Sequence, residues 1–248
     1  MKATTQLGVN KTGMDMSPLD KKSMLEAAAT APPAPLMEDG DITTVRARYV
    51  EEAEPIGTVP PPATLKGAAK TALKALQGKK VEVFVDKLAE RLSFERTGSR
   101  LFEALIDKAR AMGSYEGGPS VETLQQFHDE ELAHFNMLRD VVKTLGADPT
   151  AMTPSADVVG VASMGLLQVV TDARTTLPQA LQAMLIAELA DNDGWELLIE
   201  LAQAIGREDL ADQFTVALDA EARHLEHVRI WMSNFIVGDA DRDIETTP

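Results

Sequence analysis

The 248-residue chain contains no cysteine, which excludes disulfides, thiolate-held zinc or iron–sulfur centres and a cysteine nucleophile. Basic residues are also short: 24 Lys and Arg face 39 Asp and Glu, for a formal charge of −15. A chain that acidic lacks the clustered cations that phosphate binding draws on, so no nucleic-acid partner is expected. Long apolar runs are missing as well. The nearest approach, Val158–Val170, is interrupted by Gly160, Ser163, Gly165 and Gln168 and falls short of the roughly 18 residues a membrane helix needs. The opening residues, Met1 to Gly8, carry no apolar core of a secretory signal. The resulting expectation is a cytoplasmic protein without a membrane partner. Histidine occurs only four times, as His128, His134, His224 and His227, in two short clusters.

A hydrophobic content of 44% is ample for a sizeable core, but it is unevenly distributed. Eight of the 13 prolines lie before residue 64, including Pro32, Pro33, Pro35 and Pro60 to Pro62. Large apolar side chains are few there, so little burial offsets the entropy of ordering. Residues 1–64 therefore read as a mostly disordered or extended tail. One short helix is expected after Ser17-Pro18, over Leu19–Ala29. Residues 65–80 form a basic lead-in, with Lys66, Lys70 and Lys74 at helical spacing and Lys79 and Lys80 after them. Residues 239–248 read as a disordered acidic end.

Between residues 81 and 238 the apolar periodicity is helical almost throughout. The first long segment, Val81–Met112, places Phe84, Leu88, Leu92, Leu101 and Leu105 on one side, and Gly113 ends it. A second starts at the N-cap candidate Ser120 and stops at Gly146. A shorter apolar helix follows over Ser155–Val169. The third long helix opens with Thr176-Leu177-Pro178-Gln179, a capping-box pattern, and ends at Gly206. The fourth runs from Glu208 to about Gly238. Four long helices with one longer connection between the second and third describe an all-α four-helix bundle with a crossover.

Two Glu-x-x-His segments occur in this region, Glu131 to His134 and Glu221 to His224. Positions i and i+3 share a helix face, so each pair can offer a carboxylate and an imidazole to one ligand. Glu95 lies on the apolar side of the first helix, and Glu188 is flanked by core-type residues in Met184 to Ala190. An unpaired carboxylate is expensive in such a place. Glu95 precedes Glu131 by 36 residues and Glu188 precedes Glu221 by 33, so each half repeats one hairpin design. Together the halves direct four carboxylates and two imidazoles into one core.

With this ligand set, residues 81–238 resemble the ferritin-like superfamily of dinuclear metal proteins. The resemblance implies two metal ions, iron or manganese, held by Glu95, Glu131, His134, Glu188, Glu221 and His224. It further implies that Glu131 and Glu221 bridge, that Glu95 and Glu188 are terminal, and that each histidine binds one metal. Hard carboxylates and imidazoles suit these metals, and four carboxylates balance two divalent ions. Glu130 competes with Glu131 as a partner of His134, but the repeat in the other hairpin favours Glu131. His128, His227, Asp191 and Asn192 are candidates for a supporting shell, and Trp195 is expected in the core.

The resemblance also implies an oxidoreductase that reacts iron or reduced metal with oxygen or peroxide. A rubredoxin-bearing variant is excluded by the missing cysteines. The alternative is a scaffold or cargo-like bundle that docks through its tail, whose start, Leu7 to Pro18, is more varied than a spacer requires. A homodimer is compatible with either.

Overall fold

The computed structural model describes residues 18–30, 39–54, 56–59 and 79–245 and divides into two units, Met1–Glu54 and Pro55–Pro248. In the first unit, α1 spans Pro18–Thr30 and α2 spans Asp39–Glu52. The first follows Ser17-Pro18, where a short helix is expected; the second falls in a stretch whose composition gave no helix signal. Neither buries an apolar side chain among the described residues, in keeping with a segment too poor in large apolar groups to build a core. Residues 65–78 of the basic lead-in and residues 246–248 lie outside the described residues.

The second unit holds α3 (Lys79–Met112), α4 (Val121–Thr144), α5 (Pro154–Thr171), α6 (Leu177–Ala204) and α7 (Glu208–Glu245). Local signals set most boundaries. The Ser120 hydroxyl accepts from Thr123 N–H at the start of α4, and Thr176 and Gln179 close a reciprocal capping box at the start of α6. Gly113, Gly146 and Gly206 end their helices at φ values of 77°, 82° and 72°, a region closed to most side chains. The last helix departs from expectation: α7 passes through Gly238 and ends at Glu245. A single glycine costs a helix only about 1 kcal/mol, so it need not stop one.

The apolar interior is divided in two. One cluster contains Leu101, Phe102, Leu105, Leu124, Phe127, Leu181, Met184, Val228 and Trp231. The other contains Phe84, Leu88, Leu138, Val142, Trp195, Leu198, Leu210 and Phe214. Helix α3 runs from the second cluster to the first, and α4 returns; α6 runs the same way as α4, and α7 returns. The parallel course of α4 and α6 requires a connection spanning the bundle's length. Helix α5 provides it, with Val170 buried in the first cluster. The result is the all-α, ferritin-like four-helix bundle with a crossover. By length and composition α5 could cross a membrane, the one such helix among the described residues, but here it packs along the bundle and buries Ala156, Ser163 and Val170.

Candidate metal centre

Between the two apolar clusters lies a belt of buried polar residues. Helix α3 contributes Arg91 and Glu95, α4 contributes Glu131 and His134, α6 contributes Glu188 and Asp191, and α7 contributes Glu221 and His224. Each sits where the apolar stripe of its helix passes the middle of the bundle. Helical periodicity therefore aims all of them inward.

The donor atoms converge in three overlapping groups, each with its atoms within 4.8 Å of one another. Glu95, His134 and Glu221 form one; Glu131, Glu188 and His224 form the second; Glu95, Glu131, Asp191 and Glu221 form the third. In the first two, the Glu of one Glu-x-x-His pair joins the Glu and His of the opposite hairpin. Glu131 and Glu221 thus cross the bundle and tie its halves together.

His134 Nδ1 lies 2.6 Å from Glu221 Oε1, and His224 Nδ1 lies 2.9 Å from Glu221 Oε2. Glu95 Oε2, Glu131 Oε2 and Glu188 Oε2 are buried beside them without a hydrogen-bond partner, and neither imidazole Nδ1 nor either Glu221 oxygen has a partner outside the cluster. Three buried carboxylate oxygens without partners, packed against four more atoms that pair only within the cluster, are costly for a protein to leave so. Oxygen and imidazole donors aimed at a shared centre are what a pair of hard or borderline cations requires, so the residues present fit two such ions.

Electrostatics support the same reading. Burial raises Glu131 and Glu188 well above the ordinary carboxylate range, and the neighbouring carboxylates push them further. Burial would raise Glu221 too, but the flanking imidazoles reverse the effect and hold it low. Burial opposes a proton on His134, yet its contacts with Glu221 and Glu95 outweigh this and carry it up to about 9. The protein thus holds protons where positive charge is needed, and cations can displace them.

Supporting residues break the two-fold likeness of the halves. His224 Nε2 is 2.6 Å from Glu130 Oε2, which holds the ring so that Nδ1 faces the carboxylates. Residue 220, which precedes Glu221 as Glu130 precedes Glu131, is alanine. The His134 ring instead meets Trp195 edge-on, with centroids 5.7 Å apart. Three residues after Glu188 stands Asp191; three after Glu95 stands Gly98, where a Cβ would lie 2.6 Å from Glu131 Cδ. The missing side chain at 98 makes room for the Glu131 carboxylate.

Arg91 is almost wholly buried. Its Nη2 donates to Asp191 Oδ1 and, at 3.3 Å, to Glu95 Oε1, while Nη1 donates to Asp191 O at 3.4 Å. Burial works against its charge, and Asp191 and then Glu95 more than compensate. The sequence marks Arg91 only by its place on the Leu88–Leu92 stripe, one turn before Glu95. Asn192 lies beside the centre but serves the backbone: its Nδ2 donates to Glu188 O at 2.9 Å and Glu221 O at 3.1 Å, fastening α6 to α7. His128 and His227 are not drawn into the cluster. His128 Nδ1 pairs with Asp129 and Gln125, and His227 Nδ1 with Arg223 O, all on their own helices. Trp195 is fully buried in the core.

The two Glu/His triads match the dinuclear carboxylate motif of ferritin-like proteins. The chain as a whole matches no family model, and no curated protein or solved structure shows significant similarity to it.

Proposed function

We propose that the protein binds two iron or manganese ions and uses them as an oxidoreductase toward oxygen or peroxide. The observation that carries this reading is the convergence of seven buried nitrogen and oxygen atoms, from four carboxylates and two imidazoles, none of which has a partner outside the cluster. Glu95 and His134 would hold one ion, Glu188 and His224 the other, and Glu131 and Glu221 would link both. Such ions supply electrons to an oxidant and polarise it, a role suited to redox-active metals. The chain's own part is to fix the ligands and exclude bulk water. Glu130 orients His224, Arg91 neutralises the extra charge of Asp191, and the flanking apolar clusters seal both ends. A cytoplasmic location and a homodimer belong to the same reading.

Anaerobic loading of the metal-free protein with iron(II), followed by oxygen or peroxide, tests it through visible absorption. Two ions bound per chain, and oxidation faster than in the Glu131→Ala/Glu221→Ala variant, are expected. Equal rates in the two proteins would refute the proposal.

A second reading, docking on a larger assembly through the N-terminal region, is favoured by α2. Its Ile42, Val45 and Tyr49 are exposed at spacings of three and four residues, which gives one uncovered apolar face. Deleting residues 1–54 should release a co-purifying partner and leave oxidation kinetics unchanged. A deletion that changes neither property would retire this reading.

A further inference from the structure

A cleft of about 210 Å3 lies between α3 and α6, lined by Val83, Lys87, Glu90 and Arg91 on one side and Gly194, Leu197, Leu198 and Leu201 on the other. Arg91, at its inner end, is the residue that touches both Asp191 and Glu95 of the centre. The cleft therefore stops one guanidinium short of the carboxylates.

Gly194 is what allows this arrangement. It stands inside the 28-residue helix α6, where glycine costs about 1 kcal/mol relative to alanine, so its presence calls for a reason. A Cβ at this position would come 2.8 Å from Arg91 Cζ and 3.2 Å from Arg91 Cδ. Without one, the guanidinium packs against the α6 backbone at this position. Arg91 Nε is buried and has no hydrogen-bond partner. The guanidinium thus keeps one unused donor, and only its Nη atoms bind it to the centre.

We infer that this cleft is the path by which dioxygen reaches the centre, with Arg91 as its inner gate. The walls select the occupant. Val83, Leu197, Leu198 and Leu201 offer apolar surface that accepts a small uncharged molecule, Lys87 and Glu90 pair with each other, and the Arg91 charge at the end is balanced by Asp191 and Glu95. The role given to dioxygen rests on the oxidoreductase reading; the path itself does not.

Trp195 provides a reporter that needs no metal. It is fully buried, next in sequence to Gly194, and its ring centroid lies 5.7 Å from Arg91 Cζ. The chain has two tryptophans, so Trp231→Phe leaves Trp195 as the sole one. In that background, dissolved oxygen should quench Trp195 fluorescence in the metal-free protein. Val83→Phe/Leu197→Phe, which changes two exposed positions at the mouth, should cut the quenching constant by roughly threefold. Ile186→Phe, an exposed position of α6 outside the cleft, should not. In the iron-loaded protein the mouth variant should slow oxidation by oxygen by a similar factor with two ions still bound. Unchanged quenching in the mouth variant overturns the inference, as does an equal loss in Ile186→Phe. A wild-type protein that takes up no metal would instead refute the oxidoreductase reading and leave the quenching result standing.

Discussion

Replacing Gly98 by alanine should separate the stability of this protein from its ability to hold metal. A Cβ at residue 98 would lie 2.6 Å from Glu131 Cδ and 3.0 Å from Glu131 Oε1. Ordinary carbon contacts need about 3.5–4.0 Å, so the carboxylate must retreat by roughly 1 Å. The retreat is cheap, because the obstacle is the far end of a flexible side chain; an off-rotamer Glu131 costs about 0.5–1.5 kcal/mol. Alanine inside helix α3 returns about 1 kcal/mol of helix propensity. The two terms nearly cancel, and the metal-free variant should melt within about 4 °C of wild type. Metal binding has no such compensation. Ligand distances tolerate shifts of only about 0.2 Å, several times less than the displacement forced here. Affinity should fall by at least the roughly 10- to 100-fold seen when supporting residues are lost. A 100-fold loss removes about 2.7 kcal/mol of metal-dependent stabilisation. Calorimetric titration of the metal-free protein with manganese(II), paired with scanning calorimetry of both forms, measures the two effects. If Gly98→Ala binds two ions with wild-type affinity, Glu131 does not occupy a ligand position and the proposed centre is wrong.

Three further outcomes follow from the same geometry. Arg91→Met leaves Asp191 and Glu95 buried without their counter-charge and should destabilise the protein by roughly 3–5 kcal/mol, while the double variant Arg91→Met/Asp191→Leu, which still strands Glu95, recovers only part of the loss; chemical denaturation of the set decides it. His134 carries a folded-state value of about 9 against an ordinary 6.5, so its protonation stabilises the metal-free protein fully below pH 6.5, and the stabilisation is lost as pH rises through 9. The metal-free melting temperature should therefore drop over that window, and the metal-loaded protein, whose His134 is bound as neutral imidazole, should lack the drop. His128→Ala and His227→Ala, which remove half-buried rings, should each cost about 1 kcal/mol of stability and leave metal stoichiometry at the wild-type value, as elemental analysis would show.

The bundle was legible in the sequence because its signals are local. Gly113, Gly146 and Gly206 mark helix ends, Ser120 and Thr176 mark starts, and apolar periodicity fills the intervals. Gly238 misled because a glycine stops a helix only where the chain must turn, and at 238 it continues. The six buried Glu and His residues were visible through the repeat of one hairpin design. What stayed hidden depends on contacts between helices far apart in sequence. Arg91 meets Asp191 across 100 positions, and His224 meets Glu130 across 94. Gly98 and Gly194 look like mere weak points until the side chains that fill their vacancies are seen. The crossing of Glu131 and Glu221 between hairpins is likewise a property of the assembled bundle.

The division of the apolar core bears on how the molecule holds together. Helices in an ordinary bundle fray from their tips, because burial is greatest at mid-length. Here each end carries its own apolar cluster, and mid-length carries the polar belt. Stripped of cations, the bundle keeps two clamped ends joined by a waist in which protons, Arg91 and His134 stand in for the metal. Two ions would then act as a central rivet, and their arrival should be felt along all four long helices at once.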